Sequence, residues 1–310
     1  MTKHSYFLTL VLLISSTTQV TAKPLRIVAS IKPVHSLVAG ITQGVIEPEL
    51  LMGSQQSPHH YSLRPSERRM LAKADLIFWI GPSLESFLPR ILGSLKNKKK
   101  SVSLMQTQGL HLLPLRQIDN DHREQGHDEH DHSAGEQASS KMDAHFWLNT
   151  YNADILVDVI SQKIINLDPE HQQQYQANSQ RLHDQIAQLR KTLQTSLSSV
   201  KNAFLTYHDG YQYFEAEFNL NNAGFITASE LQPGARRISE LKKLIEEKNI
   251  ECIFYDAPTE PPILKSLVAN NKTNTFMLDP VGVFIPPGKN AWFETIHALT
   301  QQFINCRQSI

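Results

Sequence analysis

Short continuous apolar runs alternate with stretches of helical periodicity, and the sequence does this twice. Leu76–Ile80 is apolar at every position and stops at Gly81-Pro82, the pattern of a strand buried on both faces. Arg26–Ser30 and Glu49–Met52 are β-type runs ahead of it. Val34–Ile41, a helix with Pro65 in its first turn continuing through Glu67–Ala74, and a helix over Leu84–Leu95 capped by Ser83 fall between and after them. The second half repeats the plan. Ala203–Tyr207, Cys252–Tyr255 and Thr275–Leu278 read as strands, and Ile238–Lys248, Pro262–Ala269 and Ala291–Phe303 as helices. Strands that alternate with helices need crossover connections, so both halves are predicted to be parallel α/β layers.

Between the halves lies a helical stretch. Asp154–Leu167 forms one helix, and a second starts near Asp168-Pro169 and continues to about Ser199, with Leu182, Ile186, Leu189, Leu193 and Leu197 at three-to-four spacing. Some thirty residues at 1.5 Å each reach about 45 Å, the length of a strut between two lobes. The predicted organisation is an N-terminal lobe over 23–152, a helical segment over 153–199 that contains the strut, and a C-terminal lobe over 200–310.

Two segments stand outside this plan. Residues 1–22 carry Lys3 and His4, an apolar run from Tyr6 to Ile14 too short to span a bilayer, and Val20-Thr21-Ala22, which reads as a signal peptide cleaved after about Ala22. Residues 119–141 hold a run, Asp121 to His132, without a single apolar side chain, and read as a mobile loop. No cysteine lies near the cleavage point, so a lipid anchor there is excluded. The only two, Cys252 and Cys306, are expected to pair in an oxidising compartment, two buried thiols being the alternative. Thirty basic residues against thirty acidic ones argue against a nucleic-acid or membrane-surface binder.

The compositional anomaly is the 14 histidines. Three stand beside strand or loop ends: His59 in Ser57-Pro58-His59-His60-Tyr61, His145 in Asp143-Ala144-His145-Phe146-Trp147-Leu148, and His208 in Thr206-Tyr207-His208-Asp209-Gly210-Tyr211. Ligands of open α/β sheets bind beyond the carboxyl ends of strands. Imidazole suits Zn(II), which prefers four tetrahedral ligands, so three would leave one position open. The long spacing is no local zinc-finger signature, and taken singly each histidine also fits a surface or core role.

Together these residues resemble the metal-binding periplasmic proteins of ABC importers for zinc and manganese, specifically the zinc-uptake (ZnuA) branch. The resemblance also rests on Ser30-Ile31-Lys32-Pro33-Val34-His35-Ser36-Leu37, Ala74-Asp75-Leu76-Ile77, Gln232-Pro233-Gly234-Ala235 and Leu278-Asp279-Pro280. It implies two Rossmann-like lobes with parallel sheets, joined by one long rigid α-helix, with the metal in the inter-lobe cleft. It carries over His59, rather than His60, together with His145 and His208 as ligands. Manganese-type relatives place a carboxylate where His208 stands. Some zinc relatives have a glutamate where this chain has Pro58, which cannot coordinate through its side chain, so Asp279 and water compete for the fourth position.

The function so implied is capture of Zn(II) in the periplasm and its delivery to the permease of an ABC importer with its cytoplasmic ATPase, by a monomer without catalysis. A Mn(II) receptor, a zinc buffer without a transporter, and a zinc hydrolase are the alternatives. The hydrolase would need Asp209 or Asp279 as general base, since no His-Glu-x-x-His motif occurs. Loop histidines His122, His127, His130 and His132 interleave with acidic residues and suggest a secondary zinc site. Because ligating imidazoles must be neutral, affinity is expected to fall as pH drops through about 6.5. His35 is expected to cap or pack at the first helix, and Arg236 or Arg237 to approach the cleft or face solvent.

Overall fold

The computed structural model describes residues 25–53, 57–95, 100–116, 142–227, 232–269 and 273–309. Residues 1–22 and the loop histidines His122, His127, His130 and His132 lie outside them. The first sheet contains β1 (Ile27–Ala29), β2 (Glu49–Leu50), β3 (Leu76–Trp79) and β4 (Ser101–Ser103) in the order β2-β1-β3-β4. The second contains β5 (Phe204–His208), β6 (Asn222–Thr227), β7 (Cys252–Asp256) and β8 (Asn274–Leu278) in the order β6-β5-β7-β8. All pairings are parallel. The two sheets therefore share one plan: the first strand is central, the second lies to one side, and the third and fourth to the other. A crevice opens beyond the carboxyl ends where that order reverses.

β1, β3 and most of β7 are the continuous apolar runs seen in the sequence. β4 and β6 were not anticipated, because both are edge strands. Ser101–Ser103 is half-buried throughout, as is the first half of Asn222–Thr227. Edge strands lack the unbroken apolar signal of central ones. The helix expected from Leu84 starts instead at Leu88 and runs to Ser94 (α3 below), without a cap from Ser83. The reason is Glu85. Its buried carboxylate accepts the N–H groups of Ile80 and Gly81 and the hydroxyl of Ser30, which turns the chain before a helix can begin.

The helices are α1 (Lys32–Ile41), α2 (Pro65–Lys73), α3 (Leu88–Ser94), α4 (Thr150–Leu167), α5 (Gln172–Leu197), α6 (Gln212–Phe218), α7 (Ala235–Glu247), α8 (Ile263–Val268) and α9 (Ala291–Gln308). α5, the expected strut, has 26 residues and is about 39 Å long. Leu182, Ile186, Leu189, Leu193 and Leu197 form its buried face. Leu182 lies so close to α1 that a Cβ on Gly40 would meet its Cδ1 at 2.9 Å.

α5 does not join the halves alone. α9, the last helix, returns to pack on both α1 and α5. Cys306 near its end forms a disulfide with Cys252 at the start of β7, a closure expected to add about 4 kcal/mol in the chain-entropy picture. One continuous hydrophobic core runs from β1 and α1 through α4 and α5 to Phe204, Phe254 and Phe303. A smaller core, including Leu205, Ile226, Leu241, Ile253 and Leu264, fills only the outer face of the second sheet, under α7 and α8.

Candidate metal centre

His208 is the last residue of β5 and lies beside the point where the strand order reverses. His59 lies in a 3₁₀ turn, Pro58–His60, that follows β2; Pro58 occupies its first turn and Ser57 Oγ accepts the His59 N–H at 3.3 Å. His145 immediately precedes a 3₁₀ turn, Phe146–Leu148, that leads into α4. The three rings form a near-equilateral triangle, with centroid separations of 5.3, 5.4 and 5.0 Å. One nitrogen from each lies within 4.8 Å of the other two. Nε2 of His59 and Nε2 of His145 are 3.3 Å apart, and a tetrahedron with metal–nitrogen bonds near 2.05 Å has edges of about 3.3 Å. The spacing fits a small four-coordinate cation.

His145 is fixed by a chain of hydrogen bonds. Its Nδ1–H and backbone N–H both donate to Oδ1 of Asp143, at 2.6 and 2.9 Å, which leaves the Nε2 lone pair facing the other rings. This is the carboxylate–histidine arrangement that orients metal-binding imidazoles. Asp143 is fully buried, and its other oxygen accepts Gln212 Nε2–H at 2.7 Å while Tyr213 OH donates to its carbonyl at 2.8 Å. Although burial alone would raise its pKa, these bonds and the His145 ring hold it below the usual carboxylate range. Gln212 and Tyr213 open α6, which follows His208 by four residues, so one short helix fixes both histidine segments.

Gly210 keeps the space open. A Cβ there would come within 2.9 Å of the His208 ring and 3.2 Å of His145 Nε2. Behind His208, Tyr211 OH donates to Asp256 Oδ1 at 2.5 Å, and that oxygen lies 3.8 Å from His208 Nδ1. Next to His208 in the chain, Asp209 is held by Arg116, which also pairs with Glu215 through charge-assisted bonds.

The rings line a cavity of about 50 Å³ together with Asp256, Asp279 and the apolar Pro58, Ala257, Pro280, Val281 and Val283. Burial first, then the neighbouring rings of His145 and His208, push the His59 pKa down to about 2. His59 therefore keeps its lone pair through the range where a free imidazole titrates, and the expected loss of ligand near pH 6.5 does not apply to it. A preorganised cluster of three imidazoles in a small, largely apolar cavity is suited to holding a borderline metal.

The family described as zinc-uptake complex component A, periplasmic (ZnuA), matches residues 27–306. The chain belongs to this family. A high-affinity zinc uptake system protein ZnuA of Brucella abortus (strain 2308) is 34% identical over 310 residues, covering 90% of this chain and 91% of its own length. A crystal structure of ZnuA superposes with a TM-score of 0.74 at 20% identity, covering 91% of this chain and 99% of the other. The solute-binding protein FpvC of Pseudomonas aeruginosa, in complex with Mn²⁺, gives 0.75 at 17% identity over 92% and 99%. Both share the fold of two parallel sheets braced by long helices.

The family's zinc branch is where the sequence placed the chain, and the geometry sorts the individual residues. His59, His145 and His208 converge, whereas His60 is exposed and is not among the converging donors. Asp279 lines the same cavity but is not one of the converging donors. Its Oδ2 accepts the Phe284 N–H at 3.2 Å, and its Oδ1 is buried without a hydrogen-bond partner. His35 is a buried residue of α1, with Nε2 3.0 Å from the Pro48 carbonyl. Arg236 faces solvent in a pair with Glu240, and Arg237 donates to the Phe225 carbonyl; neither lines the cavity. The supporting residues Asp143, Gln212, Gly210 and Arg116 were not singled out from the sequence. Two signals pointed to them: Asp143 stands two residues before His145, and Gly210 two after His208.

Proposed function

We propose that the protein binds Zn(II) as cargo through His59, His145 and His208, with Asp279 or a water completing the tetrahedron, and carries it to the permease of an ABC importer. The family to which the chain belongs is a periplasmic uptake component, and the reading of residues 1–22 as a cleaved signal peptide accords with export to that compartment. The observation that carries the metal assignment is the convergence of three imidazole donors within 4.8 Å. Three imidazoles favour zinc over the harder Mn(II).

Binding without catalysis is supported by the state of a nearby carboxylate. Asp209 is engaged by Arg116 and does not line the cavity, so it does not stand free as a general base beside a metal-bound water. Competition titration with Zn(II) and Mn(II), on protein lacking residues 121–132, tests the assignment. One zinc per chain held in preference to manganese is the expected result, and preference for manganese would remove it. The same deletion tests the secondary site assigned to His122, His127, His130 and His132. Loss of additional, weaker zinc equivalents supports that site, and an unchanged stoichiometry excludes it.

A further inference from the structure

Lys32 is the first residue of α1 and only 8% exposed. A cation there opposes the positive end of the helix dipole and loses its hydration as well, so the position contradicts the local rule. Such contradictions mark places where something other than local stability is being served. The ammonium group makes three hydrogen bonds, one for each of its protons, to the carbonyls of Gly282, Val283 and Ile285 at 2.5, 2.8 and 2.9 Å. All three belong to the connection between β8 and α9, some 250 residues away in sequence.

That connection carries Asp279, Pro280, Val281 and Val283 into the wall of the histidine cavity. It is gripped from the first half at other points too: Trp147 Nε1–H donates to the Pro280 carbonyl at 2.9 Å, and Ser36 Oγ to the Lys289 carbonyl at 2.9 Å. Every grip is on a carbonyl, so the side chains remain available. Gly282, at φ +72, permits the turn that brings its carbonyl to Lys32, and a Cβ there would press on Thr295 Oγ1 at 2.7 Å. Within the turn the Phe284 N–H holds Asp279 Oδ2, while Oδ1 has no partner. The Asp279 charge is also close enough to act on the Lys32 ammonium.

We propose that Lys32 is a positioning residue: without touching the metal, it templates the 279–285 turn so that Asp279 presents its unpaired oxygen to the histidine cavity and slows release of the cargo. This rests on the zinc-binding reading above. The test is the rate at which zinc-loaded protein loses metal to excess chromophoric chelator, measured for the wild type, Lys32→Met, Asp279→Ala and the double variant. A zinc-free wild type would count against the binding reading itself. Given zinc in the wild type, Lys32→Met is expected to speed release about 10–100-fold, the range for residues that orient metal ligands. In the Asp279→Ala background the same substitution should add less than about threefold. Release within about threefold of wild type, or a full acceleration that persists without Asp279, overturns the proposal. Should Lys32→Met fail to fold, Lys32→Arg keeps the charge but offers a planar fork in place of three diverging protons, and faster release is again expected. If neither variant folds, Lys32 is a residue of the fold and the proposal fails.

Discussion

His145 and His59 offer the same kind of donor to the same point, 3.3 Å apart, yet the chain holds them by different means. His145 is bound at Nδ1 and at its backbone to the fully buried carboxylate of Asp143, and α6 fixes that residue in turn, Gln212 at its carboxylate and Tyr213 at its carbonyl. His59 stands on a single 3₁₀ turn whose side-chain support is Ser57 Oγ at 3.3 Å. The centre thus has one side built into the core and one side carried on a turn. The difference teaches where rigidity is placed: His145 and His208 share α6 as a common support, and His59 closes on them from across the cavity.

Removing the core-side histidine is the harshest way to break the comparison. Zinc-binding free energies of roughly 10–16 kcal/mol at four-ligand sites apportion about 3 kcal/mol to each ligand, so His145→Ala is expected to weaken zinc binding at least about 100-fold. It should also lower the stability of the metal-free protein, because Asp143 remains buried without its main partner. His59→Ala should match the affinity loss while sparing the metal-free stability. Isothermal titration together with chemical denaturation distinguishes them. Equal destabilisation by the two substitutions would show that the asymmetry has no energetic content.

Milder changes probe the supports. Asp143→Asn keeps the shape but cannot accept the Nδ1–H with a charged oxygen, and 10–100-fold weaker binding is expected. Gly210→Ala puts a methyl group within 2.9 Å of the His208 ring and should act to a similar extent by displacing both core-side imidazoles. Spectra of Co(II) added at the three histidines report the distortion. A four-coordinate spectrum unchanged in Gly210→Ala would mean that the space beside His208 is not needed.

The three converging histidines were singled out as residues beside strand or loop ends, although only His208 ends a strand; His59 lies in a 3₁₀ turn and His145 precedes one. What holds them was less legible. α6, which carries Gln212 and Tyr213, has only seven residues, too short for a periodic signal. β4 and β6 are edges with weak apolar patterns. Lys32 grips a turn about 250 positions away, and no local pattern can disclose such a pairing. Of the fold, the two parallel layers and the long helix were readable from periodicity. The return of α9 to α1, and the core shared between the halves, were not, because an apolar helix face does not name the surface it will cover.

pH sharpens the same comparison from the side of His59. Its pKa falls to about 2 in the folded chain, well below the roughly 6.5 of an unfolded imidazole. The folded state therefore binds fewer protons than the unfolded one below pH 6.5. The stability linked to His59 is fully present above that value and is lost as pH falls from about 6.5 toward 2. One such group gives a slope of at most about 1.4 kcal/mol per pH unit. His59→Gln should remove this slope, so the variant gains on the wild type in urea denaturation as the pH is lowered from 7 to 5. A parallel pH dependence in both proteins would place the effect elsewhere.

The smallest effect concerns a histidine of opposite sign. His183 on α5 lies 2.7 Å from Asp154 through Nδ1 and 3.0 Å from Asp158 through Nε2, both on α4. Partial burial works against its charge, but the two carboxylates prevail and raise its pKa above the ordinary 6.5. A raised folded pKa means the stabilisation is present below about 6.5 and fades as pH rises through the folded value. His183 is partly exposed, so solvent screening keeps the contribution under about 1 kcal/mol. His183→Gln is therefore expected to cost stability at pH 5.5, little at pH 8.5, and nothing in zinc affinity. Titration of the His183 ring by NMR gives the direct check, since a midpoint at or below 6.5 would mean that the two carboxylates do not outweigh burial. The two histidines would then no longer differ in sign, and the contrast with His59 would reduce to one of degree.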